Sequence, residues 1–294
     1  MSMVPVLSRP DPVIDVPPTD SPRRWWHRRR TGHVTVVVTA GLLVALLVAS
    51  FVVPALAGFS PTDQDLSRAL LPPSPSHPFG TDALGRDVFL RCLYAARVDL
   101  AIAATATALS ALLGITLGLI AGMAPPWVDA LILRAADVMQ ALPIYVLLLV
   151  VGFLLGPGAG AFIVASLLVV WVSYARIVRT QVLVLRELDF VHAARLTGVG
   201  RVRVLARHLL PNAVPQAIVY CAADIAFGIV ALSSLSFLGL GIAAPTPEWG
   251  LMIQDGRLYL DQAWWLTVFP GAMIALAAGA FAFMGDALDR QVRQ

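Results

Sequence analysis

Apolar residues in this chain come in long runs separated by short clusters of charge. Residues 34–62, 100–128, 138–175 and 262–285 contain no charged side chain, and residues 212–247 contain one, Asp224. A helix needs about 20 mostly apolar residues to cross a bilayer. The run 138–175 is too long for one crossing. Gly156-Pro157-Gly158-Ala159-Gly160 divides it, because proline and clustered glycine end helices. The pattern therefore predicts six transmembrane helices, at about 34–56, 100–122, 138–155, 161–183, 213–240 and 264–285. The expected fold class is an all-α polytopic membrane protein. Pro143 should kink the third span. Gly114, Gly118 and Gly122 repeat every four residues and predict a flat strip where another helix approaches closely. A short amphipathic helix, with Val88, Leu93 and Ala96 on its apolar side, is expected ahead of the second span.

Composition agrees. Of 294 residues, 58% are hydrophobic and 13% charged, against about 25% charged in soluble domains. No soluble domain of useful size is legible. The first apolar run exceeds the ~7–15 residues of a signal peptide's apolar region, so it reads as a retained anchor. Trp25 and Trp26 suit the headgroup belt before it. Cys92 and Cys221 make no metal spacing and no disulfide framework.

Charge sets the expected orientation. With the N-terminus inside, 16 of the 21 basic residues, all arginine, fall on cytoplasmic segments, as the positive-inside rule requires. The expected organisation is a cytoplasmic, largely disordered tail (1–33), a first transmembrane helix (34–57), an extracytoplasmic loop (58–97), a five-helix core (98–285) and a cytoplasmic tail (286–294). Both termini are then cytoplasmic. So is the segment 186–211, the most polar interruption of the core.

That interruption, DFVHAARLTGVGRVRVLARHLLPN from Asp189 to Asn212, is informative. Asp189 suits a helix N-terminus. Ala193 and Ala194 let a helix lie close to another surface, Gly198 permits a sharp turn, and a basic helical stretch from Arg201 leads to Pro211 at the start of the fifth span. The stretch resembles the EAA loop of the inner-membrane permease subunits of ATP-binding-cassette importers. The match lies at Ala193, Ala194, Gly198, Val204, His208, Leu210 and Pro211; His192 stands where the family pattern has glutamate. HPFGTDALGRDVFLR (His77 to Arg91), LSFLGLG (Leu235 to Gly241) and PTPEWG (Pro245 to Gly250) resemble the signatures of the dipeptide/oligopeptide/nickel permease subgroup. The long first loop resembles its C-type partner. Leu232 departs from the subgroup, whose members often carry an acid there.

The resemblance implies a type I importer permease fold with no catalytic residue of its own. It implies a heterodimer with a second permease and energy from two ATP-binding subunits or one fused ATPase, which bind ATP and magnesium. It further implies an extracytoplasmic substrate-binding protein. No GxxxxGK[ST] phosphate loop occurs in the chain, and no cofactor, metal site or nucleic-acid partner is expected. The ATPase-coupling residues implied are Asp189, His192, Ala193, Ala194, Gly198, Arg201, His208 and Pro211. Asp224, Ser233 and Ser236 are candidates for the substrate path. For Asp224, contact with a peptide amino terminus and a hydrogen bond to a neighbouring helix both stay open, and for the serines interhelical bonding stays open too. His77, Asp82, Arg86, Asp87, Glu248 and Trp249 are candidates for extracytoplasmic docking or gating; an internally bonded scaffold is the alternative reading of the loop residues His77, Asp82, Arg86 and Asp87. The expected cargo is di- or oligopeptide. Nickel, a metal chelate or glutathione on the same fold is the alternative, and a proton-coupled secondary transporter is a further one.

Overall fold

A computed structural model describes residues 22–189, 191 and 200–292. The helices are α1 (Pro22–Leu56), α2 (Val88–Met123), α3 (Pro126–Gln140), α4 (Ile144–Leu155), α5 (Ala159–Val169), α6 (Trp171–Leu185), α7 (Arg201–Val204), α8 (Leu210–Phe237), α9 (Trp249–Gly256) and α10 (Trp265–Val292). Among the described residues, five segments are long and apolar enough to cross a membrane: residues 33–56 of α1, α2, α5 with α6, α8, and α10. The pair α3–α4 makes a sixth, bent by 84° at its break.

The third span is the one whose course differs most from the sequence expectation. The chain turns at Ala141–Pro143 and does not merely kink. Proline has no N–H to donate and excludes the α conformation from the residue before it. Residues 138–140 thus belong to α3, and α4 alone, at 12 residues, is only about 18 Å long. The expected amphipathic helix is not separate either. It is the first turns of α2, which Asp87 caps by accepting from the Leu90 N–H at 2.9 Å. Pro211 stands in the first turn of α8, as its missing N–H allows.

α2 is the central helix. Near its start it packs with α1, α9 and α10 around Val88, Cys92, Trp249 and Trp265. Further along it meets α4, α5 and α8 around Phe162 and Leu232. At the far end it meets α6 and α8 around Tyr174, Val178 and Val182. The glycine strip lies against α6. A Cβ on Gly114 would stand 2.2 Å from the Trp171 carbonyl oxygen, and one on Gly118 2.6 Å from that of Ala175. Leu232 is fully buried in apolar company.

Candidate functional site

At the end where α2 begins, the loop 57–87 folds into a cap held by its own polar groups. Thr81 accepts from the Leu71 N–H at 2.8 Å and donates to the Arg68 carbonyl; its own carbonyl accepts from the Trp265 indole at 3.2 Å. Asp82 accepts the N–H groups of Leu84 and Arg86, each at 2.9 Å, and pairs with the Arg86 guanidinium at 2.6 Å. Arg91 approaches the same carboxylate at 3.6 Å. His77 Nδ1 lies 2.8 Å from Asp87 Oδ2. Gly85 makes this cap possible. It has φ +73°, and a Cβ there would lie 1.8 Å from the Asp65 carbonyl oxygen.

The four polar side chains expected here for docking or gating are thus bonded within the cap. Arg86 and Arg91, with Asp82, also face a cleft of about 580 Å³ whose opposite wall is α9, with Gln254 and Asp255, and Arg257 just beyond it. Burial raises the Asp255 carboxyl above the ordinary carboxylate range, an effect that Arg91 and Arg86 oppose.

Behind the cleft lies a buried cluster in which Asp99, absent from the sequence candidates, joins Glu248 and Trp249. Glu248 is fully buried and caps α9, accepting the N–H groups of Gly250 at 2.9 Å and Leu251 at 2.7 Å. Asp99, also fully buried, accepts the Trp249 N–H at 3.1 Å, so the two carboxyls bind consecutive N–H groups of one helical turn. The Trp249 indole donates to the Cys92 carbonyl at 3.0 Å. Burial pushes the Glu248 carboxyl up, while the N–H groups of Gly250 and Leu251 pull the other way. Ser233 and Ser236, candidates for the path, are buried against this cluster. Gly250 lies so close to Ser233 that a Cβ would stand 2.1 Å from the Ser233 carbonyl oxygen. Asp99 escaped notice because it sits just ahead of the uncharged run 100–128, and its partners lie 150 positions away.

Asp224 projects from mid-α8, partly buried, beside the Tyr174 hydroxyl of α6. It also lines a small crevice with Thr107, Ser166 and Phe227.

At the opposite end of the bundle, Asp189 is exposed, while Val191, Val204 and Leu209 are fully buried with Val178, Val182 and Ala213. Both ends of the coupling segment are therefore rooted in the core. His192, Ala193, Ala194 and Gly198 lie outside the described residues. Arg201 and His208 belong to α7 and to the π turn Leu205–Leu209 that joins it to α8. Arg179 pairs bidentately with Asp129 at 2.5 Å, Arg176 with Asp137 at 2.7 Å, and Arg186 donates to the Gly122 carbonyl at 3.2 Å. These bonds tie α6 to α3 and to the end of α2. The sequence reading used these arginines only to set orientation. Their acidic partners, Asp129 and Asp137, were the missed signal, since they lie eight residues apart on one helix.

The described residues form a bundle of broken and continuous apolar helices around a central span, and comparison with known proteins gives its class and family. Residues 114–294 match the binding-protein-dependent transport system inner membrane component family, to which the chain belongs. It is 38% identical over 276 residues to the dipeptide transport system permease protein DppC of Bacillus subtilis (strain 168), covering 92% of this chain and 85% of that protein. It is 36% identical over 257 residues to the probable D,D-dipeptide transport system permease protein DdpC of Escherichia coli (strain K12), covering 87% and 86%. Among solved structures, an inward-facing MetNI methionine ABC transporter aligns with a TM-score of 0.54 and 17% identity, over 69% of this chain and 97% of that one. That likeness concerns the fold. The chain is a multi-pass inner-membrane permease component with the ABC importer permease fold.

Proposed function

We propose that this chain is one half of the translocation path of an ATP-driven importer of di- or oligopeptides. The observation that carries the cargo is its similarity, over most of its length, to permeases of dipeptide transport. In this reading both termini and the segment 186–211 face the cytoplasm, where the arginines concentrate. A second permease completes the path, ATP-binding subunits supply the energy, and a binding protein delivers cargo at the cap. The chain itself contributes no catalytic residue.

The segment 186–211 acts as the lever. Rooting of Val191, Val204 and Leu209 among side chains of α6 and α8 supports this role, because a displaced loop then drags both spans. Gly198→Trp tests it. Uptake by the assembled transporter should fall to background while membrane insertion and permease pairing persist. Uptake at the wild-type rate would sink the lever.

The six apolar runs read from the sequence contain no histidine, which favours peptide over metal cargo, since nickel-type ions prefer imidazole ligands.

A further inference from the structure

We propose that Asp99 and Glu248 form a buried proton-binding site, in which the two carboxyls hold a single proton between α2 and α9. The proposal goes beyond the importer reading and does not depend on it.

The geometry leaves few alternatives. Both side chains are fully buried. Between them they accept three N–H groups from the first turn of α9, those of Trp249, Gly250 and Leu251. These bonds use Asp99 Oδ2 and both oxygens of Glu248. Asp99 Oδ1 is left without a hydrogen-bond partner among the described residues, and the two carboxyls grip consecutive N–H groups of one helical turn, which places them side by side. A buried polar atom without a partner is costly, and two ionised carboxylates in contact repel strongly where water is excluded. One proton resolves both problems. Carried on Asp99 Oδ1, it donates to Glu248 and leaves the pair with one negative charge, which the three N–H groups and the α9 dipole stabilise.

No cation competes for the role. None of the ion pairs among the described residues includes either carboxyl. On α2, Arg91 is directed to Asp82, and Cys92 offers its carbonyl to Trp249. α8 contributes two buried hydroxyls: Ser236 accepts the Ile242 N–H at 3.2 Å, and Ser233 has no hydrogen-bond partner among the described residues. On α9, Asp255 lies on the cleft side with Arg91 and Arg86. α10 and α1 bring apolar groups, Trp265, Leu266 and Leu46. Burial, which raises the Glu248 carboxyl, acts in the same sense.

The consequence is a proton-dependent joint. α9 forms one wall of the cleft. While the proton is held, its N-terminus is fastened to α2. Loss of the proton puts two negative charges side by side and loosens that wall.

Infrared difference spectroscopy on the full-length chain, purified with its partner subunits into lipid nanodiscs, tests the site. Spectra in H2O and D2O at about pH 8, where ordinary carboxyls are ionised, are subtracted between wild type and Asp99→Asn. Asp224→Asn is the background in both. The proposal expects one protonated-carboxyl carbonyl band, shifted in D2O, that the substitution removes. Should Asp99→Asn fail to fold, Glu248→Gln provides the same subtraction. Should neither fold, titration of the parent band between about pH 5 and 10 carries the test. Only ionised carboxylate bands at pH 8, or a band lost below about pH 6, would overturn the proposal. A carboxylate signal that shifts when choline replaces sodium would assign the pair to a metal cation and overturn it equally.

Discussion

Gly114→Ala loads the tightest contact of the α2–α6 glycine strip. The new Cβ would stand 2.2 Å from the Trp171 carbonyl oxygen and 2.6 Å from Tyr174 Cβ. A relaxed carbon-to-oxygen contact is about 3.3 Å. The axes of α2 and α6 must therefore part locally by about 1 Å, because neither obstacle is the free end of a flexible side chain. A gap of that size forfeits between about a quarter and a half of the dispersion attraction of facing atoms. Overpacking of a dense core costs about 1–3 kcal/mol, and this site belongs at the upper end.

The strip also predicts a ranking. Gly118→Ala meets the Ala175 carbonyl at 2.6 Å and should cost less. Gly122→Ala first meets a side-chain atom, Val182 Cγ1 at 2.6 Å, and should cost least. Denaturant unfolding in detergent, followed by tryptophan fluorescence, reads the effect, since Trp171 is buried at this contact. Stability of Gly114→Ala within about 0.5 kcal/mol of wild type, or a reversed ranking, would refute the close-packing argument.

Two other positions give separate readouts. Gly85→Ala combines a left-handed backbone with a Cβ 1.8 Å from a carbonyl oxygen, and should destabilise the cap by about 2–4 kcal/mol; increased proteolysis between residues 57 and 87 would report it, and unchanged protection would contradict the cap geometry. Asp224→Asn keeps a polar group beside Tyr174 and should leave the KM for peptide uptake within about twofold; a selective larger rise would reassign Asp224 to cargo contact.

Much of the fold is legible because the bilayer imposes length and polarity on each span. The uncharged runs give the spans, and the spacing of Gly114, Gly118 and Gly122 gives the α2–α6 contact. What sequence hides is pairing across distance. α3 reads as a connector until Asp129 and Asp137 meet Arg179 and Arg176. Asp99 reads as a span edge until the chain returns at Glu248 and Trp249. The break before α4 is visible as Pro143, but its 84° angle is not, nor are the ion pairs that hold α3 to α6. In the cap, motif residues that are candidates for docking are also the ones that fold it, since Asp82 and Asp87 satisfy backbone N–H groups before they face any partner.

The central claim is that ATP drives peptide through this chain and a second permease. Uptake of a labelled dipeptide into proteoliposomes tests it most directly, with both permeases, the ATPase subunits and the binding protein purified and combined. The account predicts accumulation that requires ATP and the binding protein and persists when the proton gradient is collapsed. Uptake by the permeases alone, driven by a proton gradient, would contradict it.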